Sequence, residues 1–169
     1  MATIYLSLGS NLGDRALSIA RAIKALAARG VRITRQSSLY ETEPVDVRGG
    51  GWFLNCVAEA DTKMTPQQFM QMILIVERSL GRQRRPSCGG LKESRTIDID
   101  ILIFGELVVD SPELKIPHPR MAERKFVLEP FAEIAPGLEH PVLQKNIAQL
   151  LAETADRSQV RLYKPGDVV

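Results

Sequence analysis

The chain has few aromatics, few cysteines, few histidines and no long apolar run. Only 5% of its 169 residues are aromatic, with one Trp, and its net charge is +2. A dedicated nucleic-acid binder needs a basic surface or aromatics on adjacent central strands, so that class is disfavoured. The two cysteines, Cys56 and Cys88, lack metal-ligand spacing. They read as free thiols, with Cys56 inside an apolar strand, which fits a reducing compartment. No run approaches the roughly 20 apolar residues of a membrane helix. MATIYLSLGS has no basic segment followed by a long apolar one. The expectation is a soluble, cytoplasmic protein. No Gly-x-x-x-x-Gly-Lys-Ser/Thr loop occurs, which excludes a P-loop enzyme, and no internal repeat or linker is visible. With 44% hydrophobic residues, the expectation is one domain over 1–169. A chain of this length buries roughly 70% of its unfolded surface and needs no staples.

What is present alternates strand and helix patterns. Residues 2–8 alternate as a strand, and the loop Gly9–Gly13 follows. Asp14 caps a helix running to about Arg29, with Gly30 as stop. Residues 31–41 read as a second strand, the Gly-rich connection 42–52 follows, and residues 53–61 form a third strand. Thr65-Pro-Gln-Gln68 is a capping-box helix start, and that helix ends near Gly81. Residues 96–104 form a fourth strand, and Gly105-Glu106 turns into a strand at 107–110. The order β-α-β-β-α-β is the ferredoxin-like α+β pattern, an antiparallel sheet with helices packed on one face. C-terminal additions follow, with short helices near 120–128 and 145–153 and a strand at 160–163.

The fourth strand carries Asp98 and Asp100 among isoleucines. Alternation puts Ile97, Ile99, Ile101 and Ile103 on the core face and both carboxylates on the other, ~6.5–7 Å apart. Carboxylates so spaced can hold Mg²⁺, which prefers a few carboxylate oxygens plus water and substrate phosphates. Two solvated aspartates are the bland alternative, since Asp-x-Asp is short and common. The preceding stretch, residues 82–95, holds five basic residues against one acid, Arg82, Arg84 and Arg95 among them. Arginine forks match phosphate oxygens, and arginine with metal is the usual clamp on a transferring phosphoryl group. Together these suggest polyphosphate chemistry.

Other residues stay open on spacing alone. The loop Gly9–Gly13 lacks Rossmann spacing and reads better as a turn than as a phosphate cradle. His118 stands between prolines, which can aim an imidazole, yet a surface histidine fits as well. Phe53 and Asn55 share a strand face, suited to a flat heterocycle with donor and acceptor edges, or to the core. Glu77 is compatible with a surface helix acid.

Six stretches in order resemble the 6-hydroxymethyl-7,8-dihydropterin pyrophosphokinase family. They are Tyr5-Leu-Ser-Leu-Gly-Ser-Asn-Leu-Gly-Asp14, Ser38-Leu-Tyr-Glu-Thr-Glu-Pro-Val45, Phe53-Leu-Asn55, Glu77 with Gly81-Arg82, Arg95-Thr-Ile-Asp-Ile-Asp-Ile-Leu102, and Pro117-His-Pro-Arg120 with Phe126. The resemblance covers residues 5 to about 136. It implies a monomeric enzyme that moves the ATP diphosphate to the pterin hydroxymethyl oxygen and releases AMP. By that resemblance Asp98 and Asp100 bind two Mg²⁺ ions. Arg82, Arg84, Arg95 and His118 hold phosphates, with Arg82, Arg95 and Asp98 acting in the chemical step. Glu77 lies at the nucleotide site, and Ile101 offers backbone contacts to adenine. Phe53 and Phe126 sandwich the pterin, while Asn55 and backbone groups near Thr42 and Val45 bond its edge.

Some positions depart from the family pattern, Ala122 and Lys125 among them, where many relatives carry a histidine or asparagine and a small residue, respectively. Relatives often carry Trp-Gly-Pro before the arginine matched by Arg95, and here the sequence is Cys88-Gly-Gly-Leu-Lys-Glu-Ser94. The rival enzyme class is a metal-dependent nucleotidyltransferase, which would release pyrophosphate. The non-enzyme rival is a ferredoxin-like ligand- or RNA-binding domain.

Overall fold

A computed structural model of the chain describes residues 1–44, 51–81 and 97–164, together with the backbone of 47–48 and 92–93. The strands are β1 (Ala2–Ser10), β2 (Arg32–Gln36), β3 (Tyr40–Thr42), β4 (Val47–Arg48), β5 (Phe53–Thr62), β6 (Lys92–Glu93), β7 (Asp98–Phe104), β8 (Val109–Asp110), β9 (Lys115–Ile116) and β10 (Val160–Leu162). The helices are α1 (Arg15–Ala28), α2 (Pro66–Ser79), α3 (Lys125–Ile134) and α4 (Ile147–Glu153). Asp14 caps α1 by accepting from the Leu17 N–H at 3.1 Å. Thr65 and Gln68 form the capping box that starts α2.

The main sheet runs β10-β3-β5-β1-β7, with β2 beside β3 on the same edge of β5, and every pairing in it is antiparallel. The expected single strand at 31–41 is two pieces. Ser37 keeps the chain tied to β5, since its N–H donates to the Val57 carbonyl and its hydroxyl accepts from the Val57 N–H. Ser38 turns away instead, donating its N–H to Glu133 on α3 at 2.8 Å. The expected strand at 107–110 is shorter, and it pairs with β9 rather than folding back on β7. The helix expected near 120–128 begins later, as α3, after one 3₁₀ turn at Met121–Glu123.

Burial divides by face. Ile4, Leu6, Leu8, Leu54, Cys56, Ile97, Ile99 and Ile101 pack with Ile19, Leu26, Phe69 and Ile73 of α1 and α2. On the other face Tyr5, Val57, Leu102 and Ile103 pack with Val127, Leu128 and Phe131 of α3 and with Ile147 and Leu150 of α4. So the appended helices cover part of the sheet face left open in the sequence reading. Ile103 was expected beside the other isoleucines but lies on the α3 face. The register between β7 and β1 shifts opposite Tyr5 and Leu6, inserting one residue and reversing side-chain parity. Phe104 thereby returns to the first face and meets Phe69 edge-on at 6.2 Å. Among the described residues, no helix is long and apolar enough to cross a membrane.

Candidate active site

Among the described residues, the helices cover the α3 face at one end only. At the other end, one row of paired residues crosses four strands: Tyr40 on β3, Asn55 on β5, Gly9 on β1 and Asp98 on β7. Directly paired residues share a face, so Asn55 and Asp98 look the same way with Gly9 between them. Two strand spacings separate them, roughly 10 Å. Gly9 is needed there, because a Cβ at that position would lie 2.4 Å from Asn55 Oδ1. The missing side chain leaves a shallow floor between an amide and a carboxylate.

Asn55 is buried, and its orientation is fixed. Its Nδ2 donates to the Thr42 hydroxyl at 2.6 Å, which turns Oδ1 toward Gly9. Thr42 and Phe53 are register partners. Phe53 Cδ1 comes within 3.7 Å of the point a Gly9 Cβ would occupy, so the half-buried ring borders the same floor. An amide oxygen and an aromatic at one end of a polar floor suit a flat ring with a donor edge.

Asp98 and Asp100 are half-buried on the same face of β7, while Ile99 and Ile101 between and beyond them are buried on the opposite one. Arg124, at the cap position of α3, stands against both carboxylates. Burial lowers its pKa most, Asp100 pulls against that, Arg120 adds to the lowering, and Asp98 and Glu123 raise it more weakly. Both carboxylates thus draw on the Arg124 charge, although burial outweighs them. The Arg124 guanidinium also lies 5.5 Å from the Phe126 ring centre.

β7 is the edge strand, and its outer side is organised by side chains. Glu77 Oε2 accepts from the Ile99 N–H at 3.0 Å, and the His118 N–H donates to the Leu102 carbonyl at 2.9 Å. Ile101 lies between those two points. Glu77 is 1% exposed, so it is no surface helix acid. His118 Nδ1 accepts from the Arg120 N–H at 3.1 Å, which leaves Nε2 as the ring nitrogen able to donate. A cleft of about 220 Å³ opens along this edge, lined by Ile99, Asp100, Ile101, Leu114, Lys115 and His118 among others. Apolar side chains, a strand edge, a lysine and a histidine in one cleft fit a base attached to an anionic tail.

The structure therefore gathers Thr42, Phe53, Asn55 and Asp98 on one floor, and Asp100, Ile101 and His118 along the edge. Glu77 holds the edge strand from beneath, and Phe126 stands in the first turn of α3 beside Arg124. Val45, Arg82, Arg84 and Arg95 lie outside the described residues. So do most of the basic stretch and residues 46, 49 and 50 of the Gly-rich connection, although β4 and β6 within them pair in parallel, Val47 with Lys92 and Arg48 with Glu93. Two residues of the site escaped the sequence reading. In the sequence Gly9 reads as the start of a turn, whereas β1 runs through it to Ser10. Arg124 was overlooked, although a basic residue two positions before an aromatic at a helix start was a visible signal.

Comparison with solved structures defines the class. The chain superposes on a crystal structure of an HPPK-DHPS protein in complex with substrates, with a TM-score of 0.71 at 13% identity, covering 89% of this chain and 43% of that one. A Plasmodium falciparum HPPK-DHPS structure matches equally well, with a TM-score of 0.71 at 17% identity over 89% of this chain and 45% of that one. These show a shared fold of mixed α and β with an antiparallel sheet, and this chain spans under half of either protein. The family follows from sequence. Residues 5–136 match the 7,8-dihydro-6-hydroxymethylpterin-pyrophosphokinase (HPPK) family, and the chain belongs to it. It is 44% identical over 142 residues to a 2-amino-4-hydroxy-6-hydroxymethyldihydropteridine pyrophosphokinase of Porphyromonas gingivalis, covering 83% of this chain and 95% of that protein. A protein of the same name from Bacillus subtilis is 38% identical over 161 residues, covering 95% of this chain and 89% of that protein. The folic acid synthesis protein fol1 of Pneumocystis carinii is 37% identical over 153 residues, but this chain spans only 20% of it.

Proposed function

We propose that this chain transfers the diphosphate of ATP to the hydroxymethyl oxygen of 6-hydroxymethyl-7,8-dihydropterin, giving AMP and the pterin diphosphate, in folate biosynthesis. Residues 1–169 form a single pyrophosphokinase domain in this reading, a cytoplasmic monomer on a ferredoxin-like core, which the order β3-β5-β1-β7 supports. The row Asn55–Gly9–Asp98 carries the proposal most directly. It sets a ring-binding amide and an anion-handling corner on one floor, the distance of a small heterocycle apart.

Phe53 and Phe126 stack the pterin, and Asn55 Oδ1 accepts from its amino edge, held in that orientation by Thr42. Backbone groups near Thr42 and Val45 complete that edge. ATP lies along the cleft beside β7. Ile101 offers backbone groups to the adenine, Glu77 fixes the strand that presents them, and His118 Nε2 donates to a phosphate oxygen. Arg82, Arg84 and Arg95 bind phosphates, and Arg124 joins them from the start of α3. Arg82 and Arg95 meet the charge that develops on the phosphates in the chemical step.

Two Mg²⁺ ions fit the acidic pair. Asp98 and Asp100 offer hard oxygen donors on one face, which supports that reading. Mg²⁺ needs only a few carboxylate oxygens, the rest of its shell coming from water and substrate phosphates. When bound, Mg²⁺ neutralises charge on the triphosphate and on the departing AMP. Asp100 faces the nucleotide cleft, whereas Asp98 shares its row with Asn55. Asp98 is thus the carboxylate placed toward the pterin hydroxyl, where an oxygen can take the proton.

Product analysis tests this reading. The chain, mixed with ATP, Mg²⁺ and 6-hydroxymethyl-7,8-dihydropterin, should yield AMP only when pterin and metal are both present. Pyrophosphate in place of AMP would instead establish a nucleotidyltransferase.

A further inference from the structure

The segment from Thr154 to Tyr163 lies beyond residues 5–136 that match the family. It nevertheless touches three separate walls of the pterin site. At the first, Asp156 Oδ2 accepts from the Lys125 N–H at 2.9 Å. Arg124 occupies the cap position of α3 without making a side-chain cap, so Asp156 does from a distance what a local cap residue does elsewhere. Phe126 is the next residue of that helix. Asp156 is itself fixed, because its Oδ1 accepts from the Ser158 N–H at 2.9 Å and the Ser158 hydroxyl at 2.6 Å. Burial raises its pKa, but those bonds and Lys125 outweigh it, so the carboxyl sits below its ordinary range and stays ionised.

At the second wall, β10 pairs with β3, and Gln159 exchanges backbone and side-chain bonds with Glu43, at 2.7 Å to its Oε1 and 3.1 Å from its N–H. β3 carries Thr42, which orients Asn55. At the third, the Arg161 guanidinium lies 4.6 Å from the centre of the Trp52 ring and donates to Glu41 at 3.1 Å. Arg15 closes that cluster, donating to Glu41 and to the Trp52 carbonyl, each at 2.9 Å. Trp52 immediately precedes Phe53.

We infer that residues 154–163 are a strap that sets the width of the pterin pocket: Asp156 positions Phe126, and Arg161 positions Phe53. The inference rests on the pterin site proposed above. Stability alone does not explain the outer clamp. The Arg161 side chain is 59% exposed, and an ion pair so exposed contributes little to folding. Its effect is to hold one ring in place, and a small displacement of a stacking residue is felt by the ligand before it is felt by the fold.

The test uses the full chain and two variants, Asp156→Ala and Arg161→Ala. Pterin affinity is read by fluorescence titration of 6-hydroxymethyl-7,8-dihydropterin at saturating α,β-methylene-ATP. Nucleotide affinity and the melting temperature are measured alongside. Each variant should weaken pterin binding about fivefold, the loss expected for one cap or one stacked contact, with nucleotide affinity held within about twofold. The double variant should multiply the two losses. Pterin affinity unchanged in either variant overturns that half of the strap. Parallel weakening of both ligands overturns the whole, because it marks a general loss of structure. Failure of the unmodified chain to bind pterin would instead defeat the functional proposal.

Discussion

The two faces of the central sheet are made by the same strands and carry different burdens. Toward α1 and α2, the face is apolar from edge to edge, with Leu8, Cys56 and Ile99 in register across three strands. Toward α3, the neighbouring row reads Asn55, Gly9 and Asp98. One step along each strand thus separates core from chemistry. Because the side-chain period of a strand is two residues, a strand can serve both without compromise. The inserted residue near Leu102 then reverses parity, so Leu102 and Ile103 both join the α3 face and Phe104 returns to the other. Among the described residues, α3 and α4 cover only the half of that face away from the proposed site.

The contrast is broken most severely by paired substitutions, one on each face. Asp100→Ala should lower the rate of AMP formation about a hundredfold to a thousandfold, the few kcal/mol expected when a carboxylate that holds a charge-neutralising metal ion is lost. Its melting temperature should remain close to that of the unmodified chain. Phe69→Ala, buried at 0% exposure, should cost about 3–5 kcal/mol of stability. At a temperature where that variant is still folded, its turnover should be near normal. Denaturant melts and steady-state assays on both proteins check the pair. An early-melting Asp100→Ala with normal turnover would remove Asp100 from the site.

A smaller break falls on the site's own floor. Gly9→Ala puts a Cβ 2.4 Å from Asn55 Oδ1, so the amide must leave the orientation that Thr42 gives it. Losing one oriented hydrogen bond should weaken pterin binding about tenfold, near 1.4 kcal/mol. Nucleotide affinity, set along the outer side of β7, should hardly change. Separate titrations of the two ligands read the difference directly.

Much of this was legible beforehand because local pattern and tertiary need agreed. The caps at Asp14 and Thr65 and the isoleucine–aspartate alternation follow from spacing, as does the shared face of Phe53 and Asn55, although spacing leaves the role of that pair open. What was hidden depends on residues far apart in the chain. Glu77 reads as a helix-surface acid until Ile99 is brought to it from 22 positions away. Ser38 reads as strand until Glu133 of α3 claims its N–H. Ile103 reads as core on the wrong face because a one-residue bulge leaves no mark in the alternation. The strap was invisible for the same reason: Asp156 has no helix of its own to cap, and its partner is 31 positions earlier.

The smallest effect sharpens the contrast by acting on stability alone. His140 is buried in the connection between α3 and α4, away from the row that carries the chemistry. Its Nδ1 accepts from the N–H groups of Val142, at 3.2 Å, and Leu143, at 3.0 Å, so the folded state requires that nitrogen unprotonated. Burial accordingly holds its pKa below the ordinary 6.5. Above pH 6.5 the ring is neutral whether the chain is folded or not, and its contribution is complete. As the pH falls from there through the lower folded value, the unfolded chain takes up the proton first, and stability declines. The decline should stay within about 1 kcal/mol, the scale of the hydrogen bonds at stake. His140→Asn retains a carbonyl acceptor and does not titrate, so its melting temperature should lose this component between pH 7.5 and 5.5. The pH profile of kcat should be the same for both proteins, and a profile that moved with His140 would mean that the two regions are coupled.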